Sequence, residues 1–357
     1  MSEPGSLHEA RADAREALQE ALSEIKRVIV GQDAMLERLL VSLLAGGHVL
    51  LEGVPGLAKT LTVKTLAGVL GGSYGRIQFT PDLVPADLVG TRIWRPDTGR
   101  FDTELGPVFR NFVLADEINR APAKVQSALL EVMQERQVTI GGTTHAVPLP
   151  YIVMATQNPI ESEGTYPLPE AQVDRFLMKI LVDYPEPGEE AAVVGRSLRP
   201  PVDMRESLSL ADLERHMQTV GTMLADREVI GYAVTLADAT RHPGAHGLGE
   251  LESLIEFGAS PRGPIGLVQG ARALALLRGR GHVEAQDIAD LAHDVLRHRI
   301  VLSYDALSDG ITADTLLDRI VDAIPRPGVA RLYASDGSEG NDDIALGGSH
   351  GEGARWS

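Results

Sequence analysis

Apolar residues follow two different patterns along the chain, and the pattern changes near residue 186. Before that point, from about residue 45, short apolar runs alternate with segments of helical periodicity. Nearly continuous apolar strands separated by helices are typical of a parallel sheet covered on both faces. The predicted strands are His48–Glu52, Arg76–Phe79, Phe112–Ala115, Tyr151–Ala155 and Lys179–Val182.

Helical periodicity dominates the rest of the chain. Residues 7 to 27 and Met35 to Leu44 predict helices before the first strand, and Tyr184-Pro-Glu-Pro-Gly188 predicts a hinge after the last one. The later predicted helices are Ser209–Met223, Arg227–Thr240, Gly266–Leu277, Glu284–Arg297 and Ile311–Ile324.

These patterns divide the chain into four parts. We expect an N-terminal helical segment (1–27), an α/β core (28–186) and a smaller all-α domain (187–333). Residues 334–357 are rich in Gly, Ser and Asp, have little to bury and should be disordered.

Composition excludes several classes of protein. The 357 residues contain no cysteine, which rules out disulfides, thiol catalysis and cysteine-bound metals. No apolar run is long enough to span a bilayer and the N-terminus lacks a signal peptide, so we expect a cytoplasmic protein. The formal charge of −17 opposes contact with a phosphate backbone, so no nucleic-acid partner is expected.

A glycine-rich loop follows the first predicted strand and precedes a helix. Backbone N–H groups in such a loop wrap phosphates, while Lys59 supplies a cation and Thr60 can bind Mg²⁺. Ala58 stands where this type of loop usually has glycine, so we expect a backbone conformation there that a Cβ tolerates, not a left-handed one. The loop consists of Gly53, Val54, Pro55, Gly56, Leu57, Ala58, Lys59 and Thr60.

Polar residues end two of the later strands. Asp116 would hold Mg²⁺ and Glu117 would polarise the water that attacks a γ-phosphate. Asn158 follows another apolar strand and can donate a hydrogen bond to that phosphate or water. Taken alone, Asp116 and Glu117 could be a solvated acidic turn, and Asn158 a turn residue before proline.

Two arginines complete the set of candidates. Arg175 lies in an acidic helical stretch, where an ordinary surface ion pair is the alternative. Ser260 is a good N-cap and Pro261 a good first helical residue, which places Arg262 in the first turn. A cation there opposes the helix dipole, which makes sense if it faces an anionic ligand.

Together these segments resemble the AAA+ ATPases, and within them the MoxR type of the helix-2-insert branch. The resemblance covers about residues 20 to 330. The distinctive segments are Gly53–Thr60, Asp116-Glu-Ile-Asn-Arg-Ala-Pro122, Ala155-Thr-Gln-Asn-Pro159, Tyr166–Gln172 with Asp174-Arg-Phe176, and Gly258-Ala-Ser-Pro-Arg262.

The resemblance implies a five-stranded P-loop AAA+ domain followed by a helical lid. It also implies ATP and Mg²⁺ as ligands, with Lys59 and Thr60 in Walker A, and Asp116 and Glu117 in Walker B. Arg120 could face a neighbouring subunit or form a structural salt bridge. The remaining implied roles are sensor 1 for Asn158, a trans-acting arginine finger for Arg175, sensor 2 for Arg262, and adenine contact for Val30, Gly31 and Gln32.

The resemblance further implies a remodelling chaperone. Such proteins form rings, expected here to be hexameric, and act with partners that bear a von Willebrand factor A domain. Two insertions at 81–109 and 137–149 should form hairpins that touch a protein client, although simple surface hairpins are the alternative. A nucleic-acid motor and a nucleotide-gated binding module with little turnover are the competing functions.

Overall fold

The structure is a computed structural model that describes residues 4–159, 164–200 and 202–328. The tail expected to be disordered, 334–357, lies outside these ranges. Within them, no helix combines the length and the apolar character that crossing a bilayer requires.

The first part of the chain alternates helices and strands, as its apolar pattern predicts. The elements are α1 (Pro4–Val28), α2 (Asp33–Leu44), β1 (Val49–Glu52), α3 (Lys59–Val69), β2 (Tyr74–Gln78), α4 (Pro85–Val89), β3 (Gly90–Arg95), β4 (Arg100–Leu105), β5 (Phe112–Asp116), α5 (Ala123–Glu135), β6 (Gln137–Ile140), β7 (Thr143–Ala146), β8 (Ile152–Gln157), α6 (Glu170–Val173) and β9 (Met178–Leu181).

The second part is helical apart from a short antiparallel ribbon, β10–β11. The segment predicted as a hinge, 184–188, leads directly into a helix that the apolar pattern did not predict. Pro187, which lies in the predicted hinge, is the first residue of this helix. The elements are α7 (Pro187–Ser197), α8 (Leu210–Gly221), α9 (Arg227–Ala239), β10 (Ile255–Phe257), α10 (Arg262–Leu277), α11 (Ala285–Leu296), β11 (Val301–Leu302), α12 (Tyr304–Ser308) and α13 (Ala313–Ala323).

The central sheet has five parallel strands in the order β2-β5-β8-β1-β9, which confirms the predicted fold. The apolar side chains of β5 and β8 are buried on both faces of the sheet. Since all five strands run the same way, their carboxyl ends form one edge. Asp116 ends β5 and Gln157 ends β8, so the polar residues that follow these strands lie at that edge.

Helix α1 joins the two parts of the molecule. Its residues Ala14, Leu18, Ala21 and Ile25 recur at helical spacing and are fully buried. They place α1 against α3 of the core and against α8 and α10 of the lid. One continuous hydrophobic cluster therefore extends from the sheet through α1 into the lid.

Both predicted hairpins are present. Strands β3 and β4 pair antiparallel, and so do β6 and β7, which turn at Gly141 and Gly142. The first hairpin exposes Trp94 and Phe101, whose rings meet edge to face at 5.0 Å. Arg92 connects the two hairpins, because its guanidinium lies 4.8 Å from the centre of the Phe101 ring while its stem packs on the α-carbon of Gly141.

Candidate active site

The loop between β1 and α3 forms one wall of a cavity at the carboxyl edge of the sheet. The cavity has a volume of about 350 Å³, and residues 55–61 line it on this side. The opposite wall consists of Asp116, Glu117, Thr156 and Asn158, which end β5 and β8 or follow them. The structure therefore brings the predicted phosphate loop, both acidic residues and the predicted sensor asparagine together.

Gly53 and Val54 form the base of the loop, outside the lining of this cavity. The N–H of Gly53 donates to the carbonyl of Gln157 at 3.3 Å, which ties the loop to β8. A Cβ at Gly53 would lie 2.5 Å from the carbonyl oxygen of Val182, so only glycine fits there.

Ala58 contradicts our expectation about its backbone. It has φ 55° and ψ 14°, a left-handed conformation, and directly precedes α3. The turn that leads from the loop into the helix needs this conformation whichever residue supplies it. A Cβ there costs about 1–2 kcal/mol relative to a right-handed conformation.

Left-handed residues concentrate at the predicted nucleotide site. Among the described residues, four that are not glycine have a positive φ, namely Gln32, Ala58, Glu117 and Arg136. Three of these belong to segments that the sequence assigned to nucleotide binding, while Arg136 ends α5. Backbone strain of this kind persists where the surroundings fix it and is typical of functional sites.

Lys59 points back into its own loop. Its ammonium donates a short hydrogen bond to the carbonyl of Gly53. Burial lowers the pKa of Lys59, and the nearby Asp116, Glu117 and Glu52 oppose this shift without cancelling it. These carboxylates favour the cationic form that phosphate binding requires.

Both carboxylate oxygens of Asp116 are engaged. The Thr156 hydroxyl donates to Oδ1 at 2.7 Å, and the Arg76 guanidinium donates to Oδ2 at 2.8 and 3.1 Å. The Asp116 side chain is 14% exposed whereas that of Arg76 is 47% exposed. Asp116 is thus fixed from the β8 side by a buried hydroxyl and from the β2 side by a guanidinium that water can reach.

Glu117 is held by three different elements. Its backbone N–H donates to the Thr156 hydroxyl at 2.8 Å. Its Oε2 accepts from Gln78 Nε2 at 2.9 Å and forms an ion pair with Arg120 Nε at 3.0 Å. Arg120 therefore forms the salt bridge that was one of its two expected roles, while contact with a neighbouring subunit stays a prediction.

The segment assigned to the adenine lies at a second cavity, of about 570 Å³. Val30 and Gly31 line it together with α7 residues such as Arg196. Gln32 does not line this cavity, but its Nε2 donates to the carbonyl of Asp183 at 2.9 Å. The N-terminal segment is thereby tied to the chain that leads from β9 into the lid.

Arg175 and Arg262 lie apart from the residues that line the phosphate-loop cavity. Arg262 opens α10, as predicted, and its N–H donates to the Ser260 hydroxyl at 3.1 Å. Its Nη1 is 3.7 Å from Oδ2 of Asp174, the residue immediately before Arg175. The two predicted arginines thus belong to one region, at the junction between α6 and the lid.

Comparison with known proteins agrees with this arrangement. Residues 48–178 match the ATPase family associated with various cellular activities (AAA), and residues 251–320 match the AAA lid domain. The Chaperone MoxR1 of Mycobacterium tuberculosis is 54% identical over 326 residues, which are 91% of this chain and 86% of that protein. The chain belongs to the MoxR-type AAA+ ATPases.

More distant relatives span the same length. The MoxR protein of Methylorubrum extorquens is 33% identical, with 88% of this chain and 96% of that protein covered. A crystal structure from Cytophaga hutchinsonii, of a protein provisionally described as an ATPase, superposes with a TM-score of 0.86 at 45% identity. The match covers 91% of this chain and 99% of that one, so the core and the lid are shared.

The donor set of this MoxR-type site fits Mg²⁺. Thr60 and Asp116 offer a hydroxyl and a carboxylate, the hard oxygen ligands that Mg²⁺ prefers. Among the described residues, no cluster of three His, Asp or Glu side chains could enclose a metal by itself.

Three polar residues of the site were not assigned a role from the sequence: Arg76, Gln78 and Thr156. Arg76 and Gln78 alternate on β2, and Gln78 pairs in register with Asp116. A polar residue at every second position of a strand next to the Asp116 strand was the available signal. Thr156 sits two residues before Asn158 and is 1% exposed, which marks it as a buried hydroxyl that needs partners.

Proposed function

We propose that this MoxR-type protein binds ATP and hydrolyses it to ADP and phosphate with the help of Mg²⁺. The observation that carries the proposal is the arrangement around Thr156, whose hydroxyl orients both Asp116 and Glu117 opposite Lys59. A loop that merely bound phosphate would need no second carboxylate, whereas Glu117 is held through its backbone by Thr156 and through its carboxylate by Gln78 and Arg120.

Each residue of the cavity then has a role. Thr60 and Asp116 would hold Mg²⁺, which neutralises charge that develops on phosphate oxygens. Lys59 binds the same oxygens once it leaves the Gly53 carbonyl. Glu117 orients the attacking water and accepts its proton, and Asn158 donates a hydrogen bond to the γ-phosphate or that water.

The arginines are proposed to act between subunits. Arg175 and Arg262 lie together but away from the phosphate-loop cavity of their own chain, which suits contact with the nucleotide of a neighbour. A closed ring, which we propose is hexameric, would give every nucleotide such a neighbour. Activity should therefore require assembly.

We further propose that hydrolysis drives a chaperone function in the cytoplasm. The name of the relative from Mycobacterium tuberculosis supports a chaperone role. The exposed aromatic face of the first hairpin, with Trp94 and Phe101, supports contact with a protein client. A partner with a von Willebrand factor A domain is the remaining element of the proposal.

Two variants test the proposed ATPase. Lys59→Ala should abolish ATP binding, whereas Glu117→Gln should bind ATP normally and lose about 10²- to 10⁴-fold in kcat because it lacks the base. Both are measured by equilibrium binding of a fluorescent ATP analogue and by phosphate release.

The outcome that would contradict the mechanism is a Glu117→Gln variant with wild-type turnover. A wild-type protein that binds ATP but releases no phosphate in its assembled form would instead favour the nucleotide-gated binding module. Stimulation of phosphate release by DNA or RNA would favour the nucleic-acid motor. A pull-down with the ATP-trapped Glu117→Gln protein would then test for the von Willebrand A-domain partner.

A further inference from the structure

Arg299 fixes the backbone on both sides of Arg175. The Arg299 side chain is 3% exposed and follows α11 in the lid. Its guanidinium donates to the carbonyls of Asp174 at 3.1 Å, Phe176 at 2.7 Å and Leu177 at 3.2 Å. Three hydrogen bonds from one buried side chain thus define the path of the segment that carries Arg175.

The same guanidinium also binds the Asp174 side chain. Arg299 Nε donates to Asp174 Oδ1 at 2.8 Å. Burial lowers the pKa of Arg299 to about 10, with Asp174 opposing the shift, so Arg299 remains a cation at neutral pH. A buried cation with this many partners has no freedom to move independently of the segment that it holds.

Asp174 extends the connection to the start of α10. Its Oδ2 accepts from the Ser260 hydroxyl at 3.0 Å and lies 3.7 Å from Arg262 Nη1. The Ser260 hydroxyl in turn accepts from the Arg262 N–H. One carboxylate of the α/β core therefore engages two separate elements of the lid, the turn after α11 and the first turn of α10.

We propose that Asp174 and Arg299 are positioning residues that hold Arg175 and Arg262 as one unit and present both to the nucleotide of the neighbouring subunit. Neither of them touches that nucleotide. This inference rests on the proposed ATPase function and extends it, because it makes action in trans depend on the attachment of the lid to the Arg175 segment.

The alternative is that the cluster only stabilises the fold. The two roles differ in what a mild variant does. Asp174→Asn keeps the shape of the side chain but loses the negative charge that attracts Arg262 and Arg299. If Asp174 positions Arg175 and Arg262, this variant should lose about 10- to 100-fold in kcat, because small misplacements of catalytic groups cost that much. Its KM for ATP should stay unchanged, since ATP binds at the cavity of Lys59 and Asp116.

Mixing of subunits provides the decisive measurement. A Lys59→Ala subunit has no working phosphate loop but intact arginines. An Arg175→Ala subunit has an intact phosphate loop but lacks Arg175. In rings formed at random from equal amounts of the two variants, about a quarter of the interfaces place an intact phosphate loop against an intact Arg175. The mixture should therefore regain about a quarter of the wild-type activity. We expect a mixture of Asp174→Asn with Lys59→Ala to recover in the same way.

The controls separate failure of this inference from failure of the proposed function. Recovery in the mixture of Arg175→Ala with Lys59→Ala tests the function in trans without involving Asp174. The matched control is Glu250→Gln, which loses an exposed ion pair of the lid with Arg319 and should leave kcat unchanged. Thermal unfolding of each variant confirms that it is folded.

The inference is overturned by an Asp174→Asn variant with wild-type kcat, and equally by one whose lost activity does not return on mixing. It is supported by a loss in kcat at constant KM that mixing reverses. Arg299→Gln should behave in the same way. Where Arg299→Gln does not fold, Asp174→Asn alone decides the question.

Discussion

Carboxylates and arginines meet in two regions of this protein under very different conditions. At the edge of the sheet, Asp116 and Glu117 have side chains that are 14% and 28% exposed, and their partners Arg76 and Arg120 are 47% and 39% exposed. In the lid, the side chain of Asp287 is fully buried. The residue types are the same, but the burial of the carboxylates differs.

Asp287 is saturated by its surroundings. Arg278 donates to Oδ1 at 2.9 Å, Arg280 donates to Oδ2 at 2.8 Å, and the Glu284 N–H donates to Oδ2 at 2.9 Å. These contacts fasten the end of α10 to the start of α11. Since a carboxylate with all its partners in place has nothing left to offer a ligand, this cluster serves the fold.

Asp116 and Glu117 differ because their own carboxylates reach solvent. Arg76 and Arg120 reach solvent, so binding of a cation or a phosphate can displace them at small cost. The buried Thr156 hydroxyl would stay in place and keep both residues oriented. The two carboxylates of the candidate site are thus distinguished from the structural one by their own exposure to solvent, and the substitutions below compare buried structural groups with the candidate site.

The largest expected effect is on the buried cluster. Asp287→Ala should lower the free energy of unfolding by about 4 kcal/mol, because it leaves two arginines without their buried partner. Chemical denaturation measures the change. The exposed pair of Glu250 and Arg319 is the matched control, and Glu250→Ala should cost less than about 1 kcal/mol. Equal losses in the two variants would remove the distinction between buried and exposed pairs.

His48 extends the test to a buried group that titrates. Its Nδ1 accepts from the Val153 N–H at 3.0 Å, and its Nε2 donates to the Met133 carbonyl at 3.1 Å, so the ring is neutral. Burial lowers the pKa of His48 to about 4. Because the unfolded chain binds the proton more readily, His48 contributes its full stability above about pH 6.5 and loses it as the pH falls toward 4.

The expected loss from His48 is about 1.4 kcal/mol per pH unit over that window, or about 3 kcal/mol in all. His48→Gln keeps a donor and an acceptor but cannot titrate, so its stability should fall less steeply with pH. Denaturation at several pH values between 7 and 4 measures the difference. Other histidines contribute to both proteins alike, and identical slopes would show that His48 does not remain neutral in the folded state.

A smaller effect is expected from the buried Thr156 hydroxyl, which contacts Asp116 and Glu117 at the candidate site. Thr156→Val preserves the shape of the side chain but removes the contacts to Asp116 and Glu117. We expect kcat to fall by about 10- to 100-fold, as for other residues that orient catalytic ligands. Phosphate release measures kcat, and chemical denaturation measures the free energy of unfolding. A loss of stability without any loss of kcat would assign Thr156 to the fold alone.

The smallest effect concerns the backbone of the loop. Ala58→Gly should raise the free energy of unfolding by up to about 1 kcal/mol, because glycine adopts the left-handed conformation without strain. ATP affinity should not fall. A destabilised Ala58→Gly protein would mean that the extra freedom of glycine in the unfolded chain outweighs the strain of alanine.

The sequence predicted the sheet and most of the candidate site because both depend on local pattern. Apolar runs located the five strands, and the loop before Lys59 and the acidic pair after β5 are short motifs with a known place at the end of a strand. Arg262 was correctly expected in the first turn of its helix, although the N-cap is Pro261 and not Ser260, whose hydroxyl accepts from the Arg262 N–H.

Side-chain contacts between residues far apart in the chain could not be predicted from the sequence. Whether Arg76 reaches Asp116 depends on the register of β2 against β5, and a shift of one residue would turn that side chain to the other face. The same holds for the contact of Arg299 with Asp174, which are 125 residues apart. Ala58 shows a further limit, because the turn of the loop overrides the preference of its residue.

The contact between the two hairpins restricts how this surface can evolve. Gly141 has φ +57°, and a Cβ there would lie 2.0 Å from the Cδ of Arg92, so any other residue at position 141 would force the Arg92 side chain to move. Arg92 in turn lies over the Phe101 ring of the neighbouring strand. A substitution at Gly141 would therefore also disturb the contact of Arg92 with Phe101, so that a change in one hairpin is transmitted to the other.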